Sequence, residues 1–140
     1  MVRARKVTGS DAVNDKFGQI REQILTITRE KPVLSEEVQA MRQKMRDNLG
    51  SKNTTDVRFQ LKQDAGGIVD IEFMVQYGVL AWSHQYPELM QVTDNMRLLD
   101  AFVHCGLMSS QDCQTLQETY LAYRVETHKR ALQKQNLLMT

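Results

Sequence analysis

The run Lys62-Gln63-Asp64-Ala65-Gly66-Gly67-Ile68-Val69-Asp70-Ile71-Glu72-Phe73, continuing through Met74-Val75-Gln76-Tyr77-Gly78-Val79-Leu80-Ala81-Trp82, decides the fold. After the glycine pair the chain stays mostly apolar to about Ser83, which reads as one long helix. With Ile68 set at zero and about 100° per residue, Ile71, Val75, Val79 and Trp82 fall on one face. Val69, Phe73 and Leu80 make a second apolar face about 100° to 140° away. A helix apolar on two sides belongs in the middle of a helical domain. Glu72 and Gln76 fall between the two faces, where water is scarce, and Asp70 projects elsewhere, beside Tyr77 and Ala81.

A buried carboxylate needs a partner or a raised pKa, because isolated charge is costly out of water. Two readings of Glu72 follow. It accepts bonds from an Arg or from loop amides and locks two elements together, or it faces a nucleotide or metal site with Asp64 or Asp70. Asp70 has its own structural role, since an acid in the first turn answers the helix dipole. Gly66 and Gly67 let the backbone bend and approach a partner closely. Free amides at the helix start would then meet an anion such as a phosphate. The pair fits neither the Walker lysine loop nor the dinucleotide fingerprint.

Working outward, Ser10 caps a first helix with Asp11 in its first turn. Val13, Phe17, Ile20, Ile24 and Ile27 form its seam. Pro32 marks a break, and Ser35 caps a second helix with Glu36 and Glu37 in its first turn. Val38, Met41 and Met45 make its buried stripe, and Leu49 and Gly50 close it. Residues 51–56 read as a polar loop. Val57, Phe59 and Leu61 alternate with polar residues as one short extended segment near residues 57–62. Thr93 caps a helix through Leu98, Leu99, Phe102 and Val103 that ends at Gly106. Ser109 and Asp112 start the last helix, with Cys113, Leu116, Tyr120 and Tyr123 on one stripe and Leu121, Val125 and Leu132 on another. The fold class is all-α, a bundle of about five main helices plus that extended segment.

Composition agrees. The chain has 140 residues with 41% hydrophobic and 25% charged, enough for a real core, and only 7 Gly and 2 Pro to interrupt helices. Two cysteines, Cys105 and Cys113, are too few for a disulfide scaffold and fit a reducing compartment. No apolar run approaches the roughly 20 residues that span a bilayer. The net charge of +1 hides an asymmetry: residues 1–62 carry 13 Lys or Arg against 8 acids, and the remainder 5 against 9. The basic opening, Arg3, Arg5 and Lys6, lacks the interleaved aromatics of a nucleic-acid surface. His104, Cys105 and Cys113 do not make a closed zinc set. His84 and His128 are isolated, no nucleophile elbow occurs, and the methionines read as core filler.

KQDAGGIVDIEFMVQYGVL closely resembles the K-x-D-x-G-G-I-x-D-I-E-F-x-x-Q-Y-x-V-L block of the glutamate–ammonia-ligase adenylyltransferase family. RARKVTGSDAVNDKFGQIREQIL is similar to that family's R-A-R-x-V-x-G-D-x-x-x-x-x-F-x-x-I-R stretch, with one extra residue before the aspartate. EVQAMRQKMR resembles its next helix. TDNMRLLDAF resembles its W-x-D-N-x-R-x-L-E segment, with Val92 where Trp is common. The resemblance covers nearly the whole chain.

The resemblance implies an enzyme that transfers AMP from ATP to a glutamine synthetase tyrosine and removes it, in the cytoplasm. ATP and Mg2+ would be its cofactors, and the nitrogen-signal PII protein a partner. Each half of such an enzyme pairs a nucleotidyltransferase domain with a helical domain. Residues 1–140 look like the helical domain alone, a fragment lacking the catalytic domain. Asp70 is typical of the adenylylating, C-terminal half. The Gly-Ser loop and Asp-x-Asp pair that serve triphosphate and magnesium are missing here, so the fragment alone is expected to be inactive, with no metal or bound cofactor. Glycines, Lys62, Asp64 and a wedged Glu72 in one block are unusual for packing alone, so in the full enzyme the block is expected to lie against the catalytic cleft. Lys62, Gly66 and Gly67 would contact phosphate there, and Asp64, Asp70 and Glu72 would be the catalytic candidates. A docking module for glutamine synthetase or PII, or the equivalent domain of a PII uridylyltransferase, are the alternatives. Neither nucleic acid nor membrane is an expected partner.

Overall fold

The structure, a computed structural model, describes residues 1–50, 59–133 and 138–139. Among these, five α-helices run in the order α1 Asp11–Leu25, α2 Lys31–Leu49, α3 Ile68–Trp82, α4 Asn95–His104 and α5 Ser110–Leu132. A single turn of 3-10 helix, Pro87–Met90, joins α3 to α4. The fold is all-α, as the sequence predicts. None of these helices is long and apolar enough to cross a membrane.

The extended segment has a partner the sequence does not show. Phe59–Gln60 (β1) pairs antiparallel with Leu138–Met139 (β2), with Phe59 opposite Met139 and Gln60 opposite Leu138. The expected polar loop 51–56, together with Val57 and Arg58, lies outside the described residues. Leu61, just past β1, turns inward and is buried.

Helix α3 sits at the centre. Its Val75 and Val79 join Leu98, Leu99 and Phe102 of α4, Cys113 of α5, Leu89, Leu25 and Val2 in the main core. A smaller cluster sets Ile68 and Ile71 of α3 against Tyr120 of α5. The tightest approach is at Gly78, where a Cβ would lie 2.5 Å from Cζ of Phe102. Glycine here lets the aromatic ring of α4 reach the backbone of α3. Helix α4 ends in a Schellman turn: Gly106 takes φ +74°, and the Leu107 amide reaches back to the Phe102 carbonyl at 2.9 Å.

Several local expectations are corrected. Helix α2 begins at Lys31, one turn before Ser35, with Pro32 inside its first turn, where a missing N–H costs nothing. Ser35, Glu36 and Glu37 therefore lie past the helix start. The buried residues of α2 are Leu34 and Arg42, while Met41 is exposed and Val38 and Met45 are only half-buried. Asp94, not Thr93, caps α4, accepting from the Arg97 amide. Ser10 and Ser109 cap α1 and α5 as expected.

The expected α1 seam is largely open: Val13 and Ile20 are exposed, and Ile27, also exposed, lies past the helix end at Leu25. Apart from Leu25, which is buried in the main core, arginine rather than that stripe attaches α1 and the segment after it. Arg21 is buried and donates to the carbonyls of Met1, Val2 and Met90, while Arg29 donates to those of Ile24, Ile27 and Leu80. On α5, Cys113 and Tyr120 are buried as expected, but Leu121, Val125 and Leu132 remain exposed.

Candidate functional site

The glycine block folds back on itself. Gly66 takes φ +80°, a left-handed conformation that glycine adopts without strain. A Cβ on Gly67 would meet the Leu61 carbonyl oxygen at 2.6 Å, so the second glycine is a close-approach position. The Gly67 amide donates to the Asp64 carbonyl at 2.9 Å, Ile68 to Leu61 at 2.9 Å, and Val69 to Lys62 at 3.1 Å. The Gly66 amide donates to Oδ2 of Asp70 at 2.6 Å. The amides expected to be free for an anion thus each have an acceptor within the chain. Asp64 closes the same turn, its Oδ2 accepting from the Gln60 amide at 2.7 Å.

Asp70 faces α2. Its Oδ1 accepts from Arg42 Nε at 2.5 Å and from Arg46 Nη2 at 3.2 Å. Arg42, with only 7% of its side chain exposed, also donates through Nη2 to the Gln63 carbonyl at 2.5 Å. Burial opposes ionisation of Asp70, but the Gly66 amide and the Arg42 and Arg46 guanidiniums outweigh it and hold the carboxyl below its ordinary range. Asp70 thus also takes an interlocking role, which the sequence reading considered only for Glu72: it ties α2, the 61–67 turn and α3 together. Beside it runs a groove of about 510 Å3 between α2 and α3, lined by Arg42, Arg46, Phe73, Met74 and Tyr77 among others.

Glu72 faces the opposite way, toward α5. Tyr120 donates its hydroxyl to Oε1 at 3.3 Å, and Arg3 lies 3.6 Å from the same oxygen. The carboxylate keeps 24% of its exposure. It opens on a second cleft of about 460 Å3 whose polar lining includes Arg3, Lys62, Tyr120, Arg124 and His128. The Arg124 guanidinium stacks over the Tyr120 ring at 5.7 Å. Three permanent cations around one carboxylate make this cleft electropositive, suited to a phosphate or other polyanion.

The structure therefore brings Lys62 and Glu72 to one cleft and places Asp70 across α3 from them, with Asp64 in the turn. Among the described residues no three His, Cys, Asp or Glu side chains converge as metal ligands. Arg3 and Arg124 belong to the cleft although the sequence reading left them out. Arg3 lies in the basic opening, whereas Arg124 carries no signal beyond its place one turn after Tyr120 on α5.

A model of the GlnD PII-uridylyltransferase family matches residues 37–138. The chain belongs to this family. Beyond the family match, individual relatives bear the name bifunctional glutamine synthetase adenylyltransferase/adenylyl-removing enzyme. The protein of that name from Pseudomonas syringae pv. tomato is 49% identical over 96% of this chain. Those from Acinetobacter baylyi and Pseudomonas aeruginosa are 48% identical over 98% and 47% identical over 96%. The resemblance first carried by the GGIVDIEF block thus extends over almost the whole chain. The chain spans about 15% of the length of each of these relatives.

Proposed function

We propose that this segment is the helical domain that follows a nucleotidyltransferase domain in an enzyme that adenylylates and deadenylylates glutamine synthetase. In this reading its α3–α5 cleft completes the transfer site. The observation that carries it is the cleft itself: Lys62 and Glu72, both from the shared block, line it together with Arg3 and Arg124. Lys62, Arg3 and Arg124 neutralise phosphate charge of a nucleotide held by the catalytic domain. Glu72 positions the acceptor hydroxyl. Asp64 and Asp70, together with Gly66 and Gly67, brace the turn that carries Lys62.

One carboxylate does not satisfy Mg2+, which wants near-octahedral oxygen ligation. The residues present do not fit a magnesium site, so in this reading the metal and the ATP belong to the catalytic domain. The test is adenylylation of glutamine synthetase by the full-length enzyme carrying Lys62→Ala or Glu72→Gln. A lower kcat/KM for transfer with normal folding is expected of each variant. Full activity of both variants would refute the reading.

The docking reading has its own support. Leu121, Val125 and Leu132 form an exposed apolar stripe along α5, and Val13 and Ile20 are exposed on one face of α1, with Ile27 exposed just past its end. In that reading the stripes hold the preceding catalytic domain, glutamine synthetase or the PII protein in the cytoplasm. Binding of the 140-residue chain to each of these in isolation would distinguish them. A PII uridylyltransferase role, the activity in the family's description, would show instead as uridylyl transfer to PII by the full-length protein.

A further inference from the structure

A buried polar chain crosses three helices behind the cleft. Asn95, the first residue of α4, is 1% exposed, and its Nδ2 donates to the Tyr120 hydroxyl oxygen at 3.0 Å. Tyr120 is 2% exposed and passes its own proton toward Oε1 of Glu72 at 3.3 Å. The phenol has a single proton, and with Asn95 on its acceptor side that proton is directed at the carboxylate. The Arg3 ion pair falls on the same oxygen. Among the described residues no hydrogen bond engages Oε2.

Burying polar groups in a core is costly where apolar residues of similar volume would pack as well. A Phe and a Leu would serve packing alone at these two positions. We infer that Asn95 and Tyr120 are positioning residues that hold Glu72 in a fixed rotamer at the cleft. The inference rests on the role proposed above for Glu72. Arg124, stacked on the ring of the same tyrosine, is held by the same element, so one buried side chain sets both an acid and a cation of the cleft.

The test uses the full-length enzyme with Tyr120→Phe, which keeps the ring and its Arg124 contact and removes only the hydroxyl. The kcat for adenylyl transfer is expected to fall about tenfold or more, as for a reacting group displaced by a fraction of an ångström, with the KM for ATP little changed. Adding Tyr120→Phe to Glu72→Gln should cost nothing further, because both act through one carboxylate. Tyr120→Phe alone strands the buried Asn95 amide, so a second variant, Tyr120→Phe with Asn95→Leu, removes both polar groups and guards against simple misfolding. Persistent loss of kcat in a stable double variant supports the inference. Recovery of full kcat there would mean that the chain serves packing only, overturning the inference while leaving the Glu72 role intact. Full activity of Glu72→Gln itself would overturn both.

Discussion

Replacing Asp70 by alanine should damage the fold before it touches any chemistry. The carboxylate is the acceptor for Arg42, Arg46 and the Gly66 amide, and Arg42 is 7% exposed. Removing one partner of a buried pair strands the other charge, at about 3–5 kcal/mol. Asp70 retains 27% exposure and Arg46 32%, so water reaches part of the cluster and the low end applies, about 3 kcal/mol. For a chain of this length that lowers Tm by about 9 °C, read by circular dichroism.

The pH dependence has a definite sign. The folded pKa of Asp70 is depressed, so its contribution is present above the unfolded value, about 3.9, and is lost as pH falls through the folded value. Wild type and variant should therefore differ fully at neutral pH and converge in acid. Equal midpoints at neutral pH, or a gap that stays constant into acid, would show that the Arg42–Asp70–Arg46 cluster does not brace α2 on α3.

Three further outcomes are expected. Gly78→Ala puts a methyl 2.5 Å from Phe102 Cζ and should cost about 1–3 kcal/mol by overpacking, whereas Gly18→Ala, with open space around it in α1, should stabilise by about 0.5–1 kcal/mol; urea unfolding compares the two. Burial, together with the bond from its thiol to Glu88 Oε1, pushes Cys105 up to about 11, so its alkylation by iodoacetamide at neutral pH should be slow and should quicken in Glu88→Gln, as followed by mass spectrometry. On the proposed function, Lys62→Ala in the full-length protein should raise the KM for ATP about tenfold, while Lys44→Ala on the exposed surface of α2 should leave it unchanged.

The central helix was legible because its pattern is strong. Of the two apolar faces, Ile68, Val69, Ile71, Val75 and Val79 are buried as the pattern implies, while Phe73, Leu80 and Trp82 are half-buried. The flanking helices were less legible where arginine does the work of apolar packing. Arg21 and Arg42 are buried through backbone carbonyls and one carboxylate, partners that come from distant segments and leave no periodic trace. The start of α2 was read one turn late because Pro32 signals both a break and a first turn, and Ser35 offered a plausible cap. In the site, Glu72 was singled out by its place between the two apolar faces of α3, and Lys62 by the shared block. Arg3 and Arg124 reach the same cleft only through tertiary folding, which adjacency in sequence does not report.

The deepest regularity lies in the spacing of the two acids in Gly-Gly-Ile-Val-Asp-Ile-Glu-Phe. Two residues on a helix turn through about 200°, so Asp70 and Glu72 necessarily leave α3 on opposite sides. One meets two arginines of α2 and a loop amide; the other meets Tyr120 of α5 and opens on a basic cleft. The division of labour then follows from what surrounds each carboxylate. Asp70 has both oxygens occupied and its charge compensated, which suits a brace. Glu72 has one oxygen held by a tyrosine and by the partly exposed Arg3, which suits a group that must meet something else. A single motif thus fixes the turn that presents Lys62 and aims a carboxylate at the same cleft, and exchanging the two acids for their amides separates these effects. Asp70→Asn should register first in the unfolding midpoint and, on the proposed function, Glu72→Gln in adenylyl transfer by the full-length protein. If both variants moved the same observable by the same amount, the opposite faces of α3 would not carry separate roles.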